Sequence, residues 1–279
     1  MTLDQEINTN YPSQGRRKFK FLPILLFLTF GLFYYYSHNE LNPYTGRSQL
    51  VGLNPEQEIA LGFQSYQQVL RSEDVQHSGP EVTLVKKVGE RIAAVSENSA
   101  FDWEFNVIRS QEENAFCLPG GKVAVYSGIL PITQSEDGLA VVMGHEIAHA
   151  LARHGAERMA HGQLAQYGQL AIGMATNEMD TQTRQMIMGA FGLGSQFGVL
   201  LPFSRKHETE ADMIGLKLMA KACFNPIEAP KFWKRMSEIK SSSNSPAEFM
   251  STHPSDETRI ENLESLLPEA IEIYKTHCS

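Results

Sequence analysis

The stretch that decides the reading runs Leu139-Ala140-Val141-Val142-Met143-Gly144-His145-Glu146-Ile147-Ala148-His149-Ala150-Leu151-Ala152. Side chains four positions apart on an α-helix lie about 40° from each other around the axis and about 6 Å along it, so His145 and His149 can share one metal ion. Glu146 then falls beside that ion. The flanking residues are uncharged and mostly apolar, which predicts a buried helix. Two histidines and a carboxylate inside such a helix would cost several kcal/mol without a partner, and a metal is the natural one. Because HExxH by itself also arises by chance on ordinary helices, the case needs a second cluster.

That cluster is Glu208-Thr209-Glu210-Ala211-Asp212, which runs into Ile214-Gly215-Leu216-Lys217-Leu218-Met219. Glu208 and Asp212 are again one helical turn apart. Glu208 can complete a three-ligand site that keeps one position open, while Asp212 accepts a hydrogen bond from a ligand histidine and fixes its tautomer. Glu210 competes for the ligand role, but only Glu208 has a carboxylate four residues on. One Zn2+ per chain is therefore expected on His145, His149 and Glu208, with Glu146 taking a proton from water, as in a zinc peptidase of the gluzincin type. The metzincin pattern HExxHxxGxxH is excluded, because Ala152 stands where its glycine belongs and Gly155 where its third histidine belongs. His154, five positions past His149, is read as a surface or helix-end histidine.

The chain has 279 residues, 42% of them hydrophobic, enough for one substantial core plus an appendage. Its net charge of -8 gives no support for nucleic-acid binding. Arg16, Arg17, Lys18 and Lys20 form the one basic cluster, immediately before an apolar run over 21–36 that ends in Tyr34-Tyr35-Tyr36. The run falls just short of the usual spanning length, no small-x-small cleavage site follows it, and the first cysteine is Cys117. It is read as a retained anchor, with a cytoplasmic tail over 1–20, a linker over 37–53 and a catalytic domain over 54–279. Basic residues before the anchor place that domain on the periplasmic side of a bacterial inner membrane, crossed once. A cleaved segment and an exported soluble periplasmic protein form the alternative. Cys117, Cys223 and Cys278 are too few for a disulfide framework, although an exported location would permit a bridge between Cys223 and Cys278.

The fold class expected is α+β, mostly α-helical, with a small sheet of about three strands packed on the HExxH helix, in the zincin manner. Asn54-Pro55-Glu56 reads as a helix start and carries a helix to about residue 72. A second helix over 81–98 puts Val82, Val85, Val88, Ile92 and Val95 on one stripe. Strands are expected over 103–108, 115–117 and 122–126, the last two separated by the turn Leu118-Pro119-Gly120-Gly121. An exposed edge of that sheet can pair with an extended peptide, which makes Asn114, Ala115 and Phe116 candidate substrate contacts. A plain structural sheet with Phe116 in the core is the competing reading. The Gly-, Met- and Gln-rich stretch from Gly162 to Phe203 is broken by glycines into apolar parts that look too short to span a bilayer. It is read as helices covering the active site, with a membrane-dipping or mobile lid as the alternative. Asn225-Pro226 starts a helix to about 240, a flexible loop follows over 241–245, and a last helix reaches about Tyr274. No internal repeats are present.

Taken together, Asn114-Ala115-Phe116 with Pro119-Gly120-Gly121, His145-Glu146-Ile147-Ala148-His149, Glu208 to Asp212 and Thr252-His253-Pro254 to Arg259-Ile260 resemble the HtpX and CAAX-prenyl-protease family of membrane-associated zinc peptidases. The resemblance is to its small single-anchor branch, which has bacterial periplasmic and mitochondrial Oma-type members. It implies zinc on His145, His149 and Glu208. It also implies that His253 and Arg259 lie close to the metal, either in transition-state contacts or with His253 capping the zinc at rest. Unfolded or misfolded envelope proteins are the implied substrates, and a homo-oligomer is possible. A prenylated CAAX substrate is disfavoured, since those relatives have several membrane segments. The rival function is a non-enzymatic, chaperone-like assembly factor with a structural zinc.

Overall fold

The computed structural model describes residues 18–242, 248–254 and 257–278. Arg16, Arg17 and most of the expected loop over 241–245 lie outside them. In chain order the elements are α1 (Leu22–Ser37), β1 (Asn39–Leu41), β2 (Ser48–Leu50), α2 (Pro55–Ser72), β3 (Val75–Gln76), α3 (Pro80–Val95), β4 (Glu104–Ile108), β5 (Ala115–Leu118), β6 (Lys122–Tyr126), α4 (Leu130–Thr133), α5 (Glu136–Leu151), α6 (His154–Ala175), α7 (Thr181–Ser195), α8 (Leu201–Lys221), α9 (Glu228–Ser242), α10 (Glu248–Thr252) and α11 (Glu257–His277). The chain is mostly helical with small sheets, and it divides into two compact units. One comprises His38–His161 and Leu200–Ser279; the other comprises the chain up to Ser37 together with Gly162–Val199.

The first of these units holds the sheet and the HExxH helix. Its four strands run in the order β3-β4-β6-β5, with β4 parallel to β6, and β3 and β5 antiparallel to their neighbours. The expected three strands are present; the fourth, β3, is a two-residue strand too short to leave a periodic pattern. The stretch expected as a linker is instead a β1–β2 hairpin, with Leu50 and Val51 buried. It is tied down by Arg47, which bonds both Glu157 and Glu210.

Local chemistry sets the helix boundaries. Asn54 caps α2 reciprocally with Gln57, and Ser135 caps α5 by accepting from the Gly138 N–H at 3.0 Å. Burial of α5 is nearly complete, because it is wrapped by α3, α4, α8, α9 and β5. Val82, Val85, Val88 and Ile92 of α3 face it as the stripe predicts. The closest approach is to α8: a Cβ added at Gly215 would stand 2.8 Å from the Gly144 carbonyl carbon and the His145 nitrogen. Only two glycines let these backbones come so near, and the approach carries the Glu208 helix to the His145 helix. Cys223, just past α8, is disulfide-bonded to Cys278 past α11.

The other unit is built from α1, the far part of α6 and α7. Here one expectation fails. Helix is continuous from Thr181 to Lys221, 41 residues that include a stretch long and apolar enough to cross a membrane. The glycines there do not break it, because no neighbouring backbone demands a turn at Gly189, Gly192, Gly194 or Gly198, whose surroundings are open.

Candidate metal centre

His145 and His149 come from α5, Glu208 from α8, and His253 from the end of α10. Their donor atoms converge. His145 Nε2 is 3.1 Å from His149 Nε2 and 3.1 Å from His253 Nδ1. Glu208 reaches His145 Nε2 and His149 Nε2 at 3.3 Å and His253 Nδ1 at 3.0 Å. Ligand atoms each about 2.0–2.1 Å from one tetrahedral ion stand about 3.3 Å apart, so this set has the size of a single zinc-type site. Among the described residues it is the one His/Cys/Asp/Glu group that converges in this way.

The surroundings hold these side chains in place. Asp212 Oδ1 lies 2.9 Å from His145 Nδ1, as the one-turn spacing predicts. Arg259 donates to Asp212 through Nε and Nη2, both at 2.7 Å, and its Nη1 is 3.2 Å from Glu208. The guanidinium lies 3.4 Å over the Trp233 ring, a cation–π contact in a buried setting. Arg259 thus lies beside two of the converging side chains, Glu208 and His145. Its donors are directed at Asp212, Glu208 and the carbonyls of His253 and Pro254.

Glu146 is 4% exposed, and its Oε1 has no hydrogen-bond partner although it lies 3.3 Å from His253 Nε2. Burial pushes its carboxyl up to about 7, against the pull of His253. Its second link is to the Cys117 backbone N–H, which joins the carboxylate to β5. Burial also drives His149 well below the ordinary imidazole range, which favours its neutral form.

On the far side of His149 lies a cluster that the sequence did not reveal. His154 is 2% exposed, not a surface residue, although it does open a helix. Arg153, at φ 58°, turns the chain through a left-handed residue between α5 and α6, and this returns His154 to within 3.0 Å of His149 Nδ1. Helical spacing past His149 therefore misleads. His154 Nε2 meets Glu210 at 3.0 Å, and Arg47 joins Glu210 to Glu157, which in turn meets His207 at 2.8 Å. Glu210 is thus engaged with Arg47 and His154 while Glu208 faces the donor set. Trp233 and Phe249, stacked 5.6 Å apart beside His145, also escaped the sequence reading, because aromatics on a helix carry no site signature.

Of the candidate substrate contacts, β5 forms one edge of the sheet. Phe116 packs edge-on against Tyr66 and Tyr126, Ala115 is core, and the Asn114 side chain turns back on the Ala115 N–H. The side chains of all three are thus engaged within the fold.

A buried HExxH helix, a carboxylate from a second helix and an adjoining strand edge define a metal-dependent peptidase. The model of peptidase family M48 matches residues 81–267. The chain is 40% identical over 240 residues to the mitochondrial metalloendopeptidase OMA1 of Schizosaccharomyces pombe, covering 85% of this chain and 69% of that one. To the OMA1 of Saccharomyces cerevisiae it is 35% identical over 265 residues, covering 88% and 74%. The beta-barrel assembly-enhancing protease of Yersinia pestis is 27% identical over 225 residues, covering 79% of this chain and 46% of that protein. The human OMA1 is also similar, and this chain spans 52% of its length. The chain belongs to peptidase family M48 and is a metalloendopeptidase.

Proposed function

We propose that the chain is a zinc-dependent endopeptidase whose metal is held by His145, His149 and Glu208, with His253 closing the fourth position at rest. The donor set fits zinc: three neutral-capable imidazoles and one carboxylate at tetrahedral spacing. Zinc bound there would polarise a peptide carbonyl and lower the pKa of a water in the position that His253 vacates. Glu146 accepts the proton from the attacking water at Oε1 and returns it to the departing amine. Asp212 holds His145 by its Nδ1, and Arg259, through Asp212 and Glu208, keeps both ligands in register. The backbone edge of β5 aligns an extended substrate beside Glu146, to which the Cys117 N–H already reaches.

The observation that carries this reading is Glu146. A structural zinc closed by four ligands has no use for a buried carboxylate with an unpartnered oxygen, whereas a hydrolytic site requires one. That favours the enzyme over the assembly-factor alternative. The test is cleavage of an unfolded protein such as casein by purified Glu146→Gln. Loss of cleavage with metal retained is the expected result, and retained cleavage overturns the assignment.

The substrates proposed are misfolded or surplus membrane and envelope proteins, in line with the name of the Yersinia pestis relative. α1 is the membrane anchor, 37–53 leads from it into the peptidase unit, and that unit faces away from the N-terminal side. The basic cluster and apolar run suit a bacterial inner membrane with a periplasmic catalytic unit. The relatives named as mitochondrial point to the mitochondrial counterpart of the same topology, and the Cys223–Cys278 bridge suits an oxidising compartment in either case.

A further inference from the structure

The unit formed by α1, the far part of α6 and α7 has a surface unlike that of a water-exposed helical body. On α1, Leu22, Leu25, Leu26, Leu28, Leu32 and Phe33 are all exposed. On α6, α7 and the helical segment that follows α7, Leu170, Met174, Met186, Leu193 and Phe197 are 50–61% exposed. An apolar helix hidden in a soluble core would be buried, yet the apolar window within Thr181–Lys221 is 0% buried; a secretion signal would lie at the N-terminus, and this helix follows the HExxH motif.

Charge is confined to the ends. Residues 185–204 contain no Asp, Glu, Lys or Arg, between Arg184 and Arg205-Lys206. At 1.5 Å per residue these twenty positions span about 30 Å, the thickness of a bilayer's hydrocarbon. Residues 162–177 are likewise uncharged, and Glu178 and Asp180 sit in the turn that joins α6 to α7.

The three helices share a seam and an end. At Gly168 of α6 an added Cβ would stand 2.6 Å from the Phe191 ring of α7 and 3.2 Å from the Phe27 ring of α1, and Phe30 meets Tyr167 edge-on at 5.6 Å. The turn between α6 and α7 lies beside the start of α1: the Lys20 N–H donates to the Ala175 carbonyl at 2.9 Å, and Lys20 Nζ pairs with Glu178 at 2.8 Å. Gln166, Gln169, Asn177 and Arg184 share one groove with Leu170, Gly173, Met174 and Met188. Polar side chains at membrane depth are tolerated where they line such a protein-walled groove.

From this we infer that the α6–α7 hairpin crosses the membrane out and back beside α1, with its turn on the same side as Lys20, so that three segments rather than one are embedded in lipid. The lipid acyl region is the partner that the exposed apolar faces fit. The inference rests on α1 being the anchor. It replaces the expectation that 162–203 covers the active site. It also means that the chain between the HExxH helix and Glu208 passes through the bilayer.

The test uses the full chain in sealed membrane vesicles prepared in both orientations, in a Cys117→Ser background that keeps the Cys223–Cys278 bridge. Single cysteines are placed by Lys20→Cys, Glu90→Cys, Asp180→Cys and Leu193→Cys, and a membrane-impermeant maleimide reports which face each one sees. The inference expects Glu90→Cys to react from one face and both Lys20→Cys and Asp180→Cys only from the other, with Leu193→Cys unreactive until detergent is added. Reaction of Asp180→Cys from the Glu90 face, or of Leu193→Cys in intact vesicles, overturns the hairpin while leaving α1 as the anchor. Reaction of Lys20→Cys from the Glu90 face overturns the anchor itself, a separate outcome.

Discussion

Glu146 carries two separable consequences at the scale of single residues. A carboxyl that titrates near 4.5 in the unfolded chain and at about 7 when folded means that the folded state holds its proton longer. The contribution of Glu146 to the stability of the metal-free protein is therefore fully present below about pH 4.5 and is lost as pH rises to about 7, on the order of 3 kcal/mol. Glu146→Gln should remove that decline, so thermal midpoints of metal-free wild type and variant should diverge between pH 5 and pH 8, with the variant higher at pH 8; parallel curves would speak against the buried titration. The same substitution should lower cleavage by about two to four orders of magnitude. Asp212→Asn tests the bracing of His145. It should weaken zinc binding about 10–100-fold in competition with a chelating dye, whereas unchanged affinity would make Asp212 a bystander.

Among the elements, the crossing of α5 and α8 decides whether the ligands meet. Gly215→Ala would drive a methyl into the Gly144–His145 backbone, so the helices must separate. A loss of about 1–3 kcal/mol in stability is expected, together with weaker metal retention. Gly155→Ala, where the added methyl meets nothing within 4 Å, serves as the control and should be neutral or slightly stabilising. A Gly215→Ala protein that keeps both properties would show that the close approach is not needed. The bridge from Cys223 to Cys278 closes a sequence separation of 55 residues, and its reduction should cost about 2–4 kcal/mol in a chemical denaturation series. Much of this scale was legible in advance: α2, α3, β4, β5, β6 and α5 fall where caps, stripes and alternation put them. The exceptions share a physical cause. The hairpin over 39–50 is polar in sequence and held by Arg47, whose partners Glu157 and Glu210 lie 110 and 163 residues away. His154 joins the site only because Arg153 takes a left-handed turn, which spacing rules for a continuous helix cannot express.

Over the whole molecule, the sequence disclosed those parts of the site that sit one helical turn apart and concealed those that meet by tertiary folding. His145, His149, Glu208 and Asp212 belong to the first kind. The approach of His253 to His145 across 108 residues belongs to the second and rested on family resemblance alone, while Trp233 carried no signal at all. The Gly-, Met- and Gln-rich composition after Gly162 was visible, but its grouping with α1 in a separate unit was not, nor was the continuity of the helix through glycines, because glycine breaks a helix only where something else favours the turn. The central claim, that one zinc ion held by two helices serves a carboxylate that works as base, is tested most directly by assaying purified wild type, Glu146→Gln and Glu208→Ala side by side for zinc per chain and for cleavage of casein. The account expects about one zinc in wild type and in Glu146→Gln, far less in Glu208→Ala, and cleavage by the wild type alone; cleavage by Glu146→Gln, or full zinc in Glu208→Ala, would contradict it.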